Sequence, residues 1–175
     1  MSLKIVYGDI TKINVDAIVN AANTRLSGGG GVDGAIHRAA GPRLADACRK
    51  LNGCGIGEAK MTKAYNLPTK YIIHTVGPIW NGGISDEEEI LRTAYNNSLD
   101  IAAKNGFNSI AFPLISAGAF GFPKQLALEI AIKSLEDYLK MKDMMVYLLI
   151  YDSEILDKYE GKIEYNHKVY NIEPL

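Results

Sequence analysis

Four consecutive glycines, Gly28 to Gly31, separate a run carrying Asn20 and Asn23 from a segment carrying Asp33 and His37. Glycine loses more chain entropy on folding than other residues do, so four in a row belong where backbone must approach something closely. A helix starting beside them adds unpaired N–H groups and the positive end of a dipole. Loop and helix start, with Gly30, Gly31 and Val32 at the junction, suit phosphate or a comparable anion better than a merely flexible surface loop would. Asp33 falls in that helix's first turn. The dipole favours a carboxylate there, yet a carboxylate repels a neighbouring anion, so a catalytic or sugar-binding role competes with a helix-terminus role. The amides of Asn20 and Asn23 can engage sugar hydroxyls or stabilise the turn. His37, one turn beyond Asp33 on the same face, reads as a structural histidine.

A second small-residue stretch runs Ile115-Ser116-Ala117-Gly118-Ala119-Phe120-Gly121-Phe122-Pro123. Phe120 is not needed for turning and has the shape to cover a sugar. Asp9 ends the first strand, where it could accept from an exocyclic amine or cap a turn. Tyr151 ends the last clear strand, where it could stack on a base or pack into the core. Two phosphate-cradling loops in one cleft imply a diphosphate. No Gly-Lys-Ser/Thr follows the glycines, so the loop is not a Walker motif. The dinucleotide fingerprint fits poorly, because no acid closes a strand about twenty residues on. Gly-x-Ser-x-Gly is absent, which removes the usual nucleophile elbow. His37, Cys48, Cys54 and His74 match no zinc spacing, so no metal is expected.

These residues need elements to hold them. Strands are expected at Leu3–Tyr7, Asp16–Ala22, Ala59–Asn66 (an exposed edge), Tyr71–Val76, Ser109–Leu114 and Met145–Tyr151. Helices are expected at Val32–Ala40, from Pro42 through Leu51, from the acids Asp86 to Glu89 up to Asn105-Gly106, from Pro123 through Leu139, and at Ile155–Tyr159. The four acids read as a solvated first turn. The tail from Lys162 to Leu175 is not placed, a further strand being one option. Alternating strands and helices argue an α/β fold whose mostly parallel sheet is covered on both faces, with ligands at the carboxyl ends of strands.

Composition bounds the partners. A chain of 175 residues, with 47% hydrophobic and 22% charged residues, fits one globular domain over residues 1–175. A net charge of -1 gives no global footprint for nucleic acid. No apolar run approaches the ~20 residues of a membrane span, and no signal peptide precedes the first strand. Two cysteines are too few for a disulfide framework, so the cytoplasm is the default location.

Taken together, the motifs resemble the macrodomain family, and within it the MacroD-type hydrolases. The pieces that carry the likeness are Gly8-Asp9-Ile10-Thr11, Val19-Asn20-Ala21-Ala22-Asn23, the glycines with Val32-Asp33-Gly34-Ala35-Ile36-His37-Arg38-Ala39-Ala40-Gly41, Gly57-Glu58-Ala59, Ile73-His74-Thr75-Val76-Gly77-Pro78 and the stretch from Ile115 to Pro123. The resemblance implies a three-layer α/β/α sandwich on a mixed, mostly parallel sheet that binds ADP-ribose without a cofactor. By analogy Asp9 and Ile10 contact adenine, with Tyr151 at the same end. Gly30, Gly31 and Val32, with Ser116, Ala117, Gly118, Ala119, Phe120 and Gly121, hold the diphosphate. Asn20, Asn23, Asp33 and Phe120 surround the distal ribose, Asp33 and Asn23 as the catalytic pair. The implied substrates are ADP-ribose O-acyl esters, namely O-acetyl-ADP-ribose and mono-ADP-ribosylated acidic side chains of proteins. A reader that binds ADP-ribose without cleaving it, or a phosphatase of ADP-ribose phosphate, stand as the alternatives.

Overall fold

Side chains of a strand point alternately to its two faces, and here that parity divides the core in two. In the computed structural model, which describes residues 2–175, eight strands form one sheet. They are β1 (Ser2–Tyr7), β2 (Ala17–Ala21), β3 (Ala59–Lys63), β4 (Tyr71–Thr75), β5 (Ser109–Pro113), β6 (Met145–Ile150), β7 (Lys162–Tyr165) and β8 (Lys168–Pro174). The helices are α1 (Gly31–Ala40), α2 (Pro42–Lys50), α3 (Glu87–Lys104), α4 (Lys124–Leu139) and α5 (Ser153–Lys158), with a 3-10 turn at Ile10–Lys12. Ala17, Val19, Ile73, Ile110, Phe112, Val146 and Leu148 pack with α3 and α4 on one face. Ile18, Ile72, Ala111 and Leu149 pack with Ile36 of α1 and with Leu44 and Cys48 of α2 on the other. The result is a three-layer α/β/α sandwich.

Strand order is β3-β4-β2-β5-β6-β1-β8-β7. All neighbours from β4 to β8 are parallel, and the two edges, β3 and β7, are antiparallel. The mixed, mostly parallel sheet is therefore as expected, and the exposed-edge reading of β3 holds. The tail, unplaced from sequence, forms the β7–β8 hairpin, and β8 pairs with β1 from Ile5 opposite Ile172 to Tyr7 opposite Pro174. Among the described residues no helix is long and apolar enough to cross a membrane.

One expectation fails at the start of α3. The acids there are not all solvated: Glu87 is only 2% exposed. Its carboxylate accepts from the backbone N–H groups of Asn81 (2.8 Å), Gly83 (2.8 Å) and Ser85. A chain turning tightly through Gly82 and Gly83, both at positive φ, leaves its N–H groups pointing inward, and Glu87 gathers them. Burial pushes this carboxyl's pKa up, but those N–H groups outweigh burial and hold it below the ordinary carboxylate value. A group with a depressed folded pKa adds stability above its unfolded pKa and loses it as pH falls through the folded value. Glu87→Gln is therefore expected to lower the melting temperature at pH 7. The gap from wild type should close as thermal melts are taken below about pH 4. An equal gap at pH 7 and pH 3 would assign the loss to packing instead.

Candidate functional site

The carboxyl ends of β1, β2, β5 and β6 open into a cleft of about 620 Å³. One wall is the start of α1. Gly30 precedes this helix with no side-chain cap, so the first-turn N–H groups are left to whatever lies in front of them. A side chain at Gly30 or at Gly31 would meet nothing within 4 Å, so both face open space. Gly31 also has φ +57°, a conformation that L side chains rarely adopt. Val32, Ala35 and Arg38, spaced by three along α1, carry this wall inward.

The facing wall is the loop after β5. Ala117 and Gly118 line the cleft, and Gly118 and Gly121 look onto open space. Ser116, the first residue of the stretch expected to hold the diphosphate, anchors this loop. It is buried at φ +66°, and its Oγ donates to the carbonyl of Pro78 at 2.8 Å. That bond ties the loop to the segment after β4. A Cβ at Gly77 would overlap the same hydroxyl, which is why glycine stands there. Phe120, half-buried, is tied to that segment by its carbonyl, which accepts from the N–H of Trp80 at 2.8 Å. Its side chain, like that of Ala119, does not line the cleft.

At the far end stand Asp9, Ile10 and Tyr151. Asp9 does two things at once. Its Oδ1 caps the 3-10 turn, accepting from Thr11 N at 2.9 Å and Thr11 Oγ1 at 2.7 Å. Oδ2 has no hydrogen-bond partner among the described residues, and Asp9 lines the cleft. Tyr151 is 78% exposed, so it is not a core residue and its ring is available for stacking.

The polar residues beside the glycine loop are arranged differently from expectation. Asn20 is fully buried, and it does not reach the cleft. It shares the parity of Ile18, so it points toward α1, where its Nδ2 donates to Asp33 Oδ1 at 2.8 Å. Asp33 is itself only 6% exposed. Burial raises its pKa, and the Asn20 hydrogen bond and nearby His37 pull back only part of that rise. His37 Nε2 lies 3.5 Å from Asp33 Oδ1. Asn23 is spent on the loop: Nδ2 donates to the Gly28 carbonyl at 3.1 Å and Oδ1 accepts from Ser27 N at 3.1 Å. Gly29 lies between these groups, since a Cβ there would stand 3.4 Å from Asp33 Oδ2 and 3.9 Å from Asn23 Nδ2. Hence a partly desolvated carboxylate sits directly behind a loop that has no side chains to cover it.

The site thus combines an uncapped helix start, two glycine-lined loops, a free acceptor beside an exposed aromatic, and a buried carboxylate of raised pKa. The Macro domain family model matches residues 19–131, a span that holds both loops and Asp33. The chain belongs to the Macro domain family. A Macro domain-containing protein of Methanosarcina mazei is 53% identical over 154 residues, covering 87% of this chain and 82% of the relative. An O-acetyl-ADP-ribose deacetylase of Citrobacter koseri is 51% identical over 160 residues, covering 88% and 90%. Among solved structures, the Oceanobacillus iheyensis macrodomain is similar with a TM-score of 0.86. Its glycine-to-valine variant with ADPR is 41% identical, covering 90% of this chain and 89% of that one. Variants of the same protein with an asparagine or an aspartate replaced by alanine have the same likeness.

Within this macrodomain, sequence reasoning missed Ala35 and Arg38 on the cleft wall; their spacing from Val32 was the available signal. It also missed the bond from Ser116 to Pro78, which no spacing announces.

The glycines themselves give a test. Gly34, in α1, packs its Cα face against the loop, and a Cβ there would overlap the carbonyl oxygen of Gly29. Gly34→Ala is expected to cost about 1–3 kcal/mol in denaturant unfolding, the usual range for overpacking. Gly30→Ala, at φ -89° and facing open space, is expected to stay within about 0.5 kcal/mol of wild type. Equal losses for the two would mean that the loop is not seated on α1.

Proposed function

We propose that this macrodomain binds ADP-ribose along the cleft and hydrolyses acyl esters on its distal ribose. The observation that carries the reading is the buried Asp33 carboxylate of raised pKa behind a side-chain-free loop. A binding surface for an anion has no use for a carboxylate there, whereas a hydrolase needs a base poised to ionise. Relatives named O-acetyl-ADP-ribose deacetylase, at about half identity across nearly the whole chain, support it. So do the variants of the Oceanobacillus protein. The asparagine, glycine and aspartate replaced there stand seven and three residues apart, as do Asn23, Gly30 and Asp33 here.

In this reading the diphosphate lies between the start of α1 and the Ala117–Gly118 segment, held by backbone N–H groups. Adenine stacks on Tyr151 and gives its exocyclic amine to Asp9 Oδ2. The distal ribose then reaches Gly29, behind which Asp33 stands. Asp33, held by Asn20, takes a proton from water as the water oxygen attacks the acyl carbonyl. The bond from the acyl carbon to the ribose oxygen breaks, that oxygen leaves with a proton, and a carboxylic acid and ADP-ribose are released. Asn23 acts by fixing Gly28 and Gly29, the floor on which the sugar sits. The substrates are O-acetyl-ADP-ribose and mono-ADP-ribose on acidic side chains of proteins.

ADP-ribose at a hundredfold excess over its Kd should stabilise the protein by about 2.7 kcal/mol in thermal melts. AMP should do far less, because it leaves the diphosphate and distal-ribose positions empty. Asp33→Asn keeps an acceptor for Asn20 and should bind ADP-ribose nearly normally by calorimetry, while ester hydrolysis falls ~10²–10⁴-fold. Wild type that binds ADP-ribose but releases nothing from either ester would make the protein a reader.

A separate measurement addresses the adenine end. Asp9→Ala should weaken ADP-ribose by ~1.5–3 kcal/mol and narrow the preference over the inosine analogue, which lacks the exocyclic amine. An unchanged preference would leave Asp9 with its capping role alone.

A further inference from the structure

Behind Asp33 the polar contacts continue into the sheet. Asn20 on β2 and His74 on β4 are register partners on neighbouring parallel strands. Both are fully buried, and both point to the α1–α2 face, a layer otherwise filled by apolar side chains. Thr62, opposite Ile72 on β3, shares that face. The three make one row across three strands. Asn20 Nδ2 lies 3.1 Å from His74 Nδ1, and His74 Nε2 lies 2.9 Å from Thr62 Oγ1.

We infer that His74 and Thr62 are positioning residues for the hydrolysis, acting through Asn20 to orient Asp33; this rests on the reading of Asp33 as the base. The argument is one of donors and acceptors. An ionised Asp33 only accepts, so the amide atom 2.8 Å from it is the N–H₂ group, as drawn. The second proton of that group is directed at His74 Nδ1, which must then carry a lone pair. Burial drives the His74 pKa down to about 3, with a smaller push from His37, so the ring is neutral. A neutral ring without a proton on Nδ1 carries it on Nε2, and there Thr62 Oγ1 is the acceptor. The Thr62 hydroxyl, by accepting from Nε2, thus supports the tautomer whose Nδ1 lone pair suits the amide orientation that holds the carboxylate.

Removing the hydroxyl breaks the order from its far end. Without an acceptor at Nε2, the ring gains by carrying its proton on Nδ1, which then faces the Asn20 N–H₂ group. The amide resolves that clash by turning over. Its Oδ1, which has no partner among the described residues, then takes the His74 proton. Asp33 loses its donor and faces an oxygen, so its ionised form is disfavoured. The other titratable groups facing Asp33 are His37 on α1 and Cys48 on α2, with His74 itself beyond Asn20. The Cys48 thiol, pushed up to about 11 by burial and by Asp33, stays protonated. At 3.9 Å from His74 Nε2 its sulfur is a weak substitute for the hydroxyl.

The test is Thr62→Val, an isostere that a strand accommodates, with Thr62→Ser as the variant that restores the hydroxyl. Nitrogen-15 NMR of the wild-type imidazole should show His74 protonated on Nε2; protonation on Nδ1 would overturn the inference before any variant is made. In folded Thr62→Val the proton should move to Nδ1. The Asp33 carboxyl, followed by carbon-13 NMR, should titrate at a higher pH. The acid limb of kcat/KM should move the same way, with about a tenfold lower rate on that limb. ADP-ribose affinity should stay within about twofold, because none of the three residues lines the cleft. Thr62→Ser should return all of these to wild type. An unmoved Asp33 titration in Thr62→Val, or failure of serine to restore it, would reduce the row to core packing. The two NMR readings hold for a protein that cleaves no ester, so a failure of the hydrolase reading stays distinct from a failure of this one.

Discussion

The hydrogen bond from Asn20 to Asp33 joins the strand that enters the glycine loop to the helix that leaves it. Asn20 is fully buried and Asp33 nearly so, so breaking the pair would leave a largely desolvated carboxylate without its amide donor. The bond therefore joins β2 to the start of α1 across the glycine loop. Gly34 must be glycine because the loop's carbonyl presses on the helix, and Asn23 holds the Gly28 carbonyl. The open N–H groups of α1 then face the cleft instead of the protein.

The opposite loop is held by different means. There the anchor is a hydroxyl to a carbonyl, Ser116 to Pro78, with Gly77 clearing the space. The two loops are thus set independently, one against a helix and one against the segment after β4, and their separation is left to the rigid sheet. A diphosphate is a ligand of nearly fixed length, and two stiff walls suit it better than a mobile pair would.

Much of this was legible in the sequence. Parity of apolar residues placed the strands, and the helix borders fell where Pro42, Gly41 and the Asn105-Gly106 pair put them. Asp9, Ile10, Gly31, Val32, Ala117, Gly118 and Tyr151 were named as ligand-facing and do line the cleft. The rest was hidden for physical reasons. A polar residue in a strand gives no sign of which way it faces a ligand. Asn20, with the parity of Ile18, could have been assigned to the buried face, but only a structure shows the carboxylate waiting there. Glu87 looked like its neighbours because a carboxylate caged by backbone N–H groups has no side-chain signature. The tail hid its strands because its tyrosines and charges alternate weakly, and its partner strand lies at the other end of the sequence.

That last pairing has a consequence for how the chain reaches its fold. Ile5 is opposite Ile172, so the outer edge of β1 is covered by a segment that emerges 167 residues later. Its inner edge waits almost as long, for Met145 to Ile150. During synthesis β1 is an apolar strand with both edges bare, open to pairing with another chain. Contacts of such sequence separation also carry a large loop-closure cost before they reward the chain. The half of the sheet that holds Asn20, His74 and Thr62 is different: β2, β3 and β4 close within the first 75 residues, with α1 and α2 between them. The Asp33 side of the site is thus topologically local, whereas Asp9 and Tyr151 meet only when the two distant ends of the chain come together.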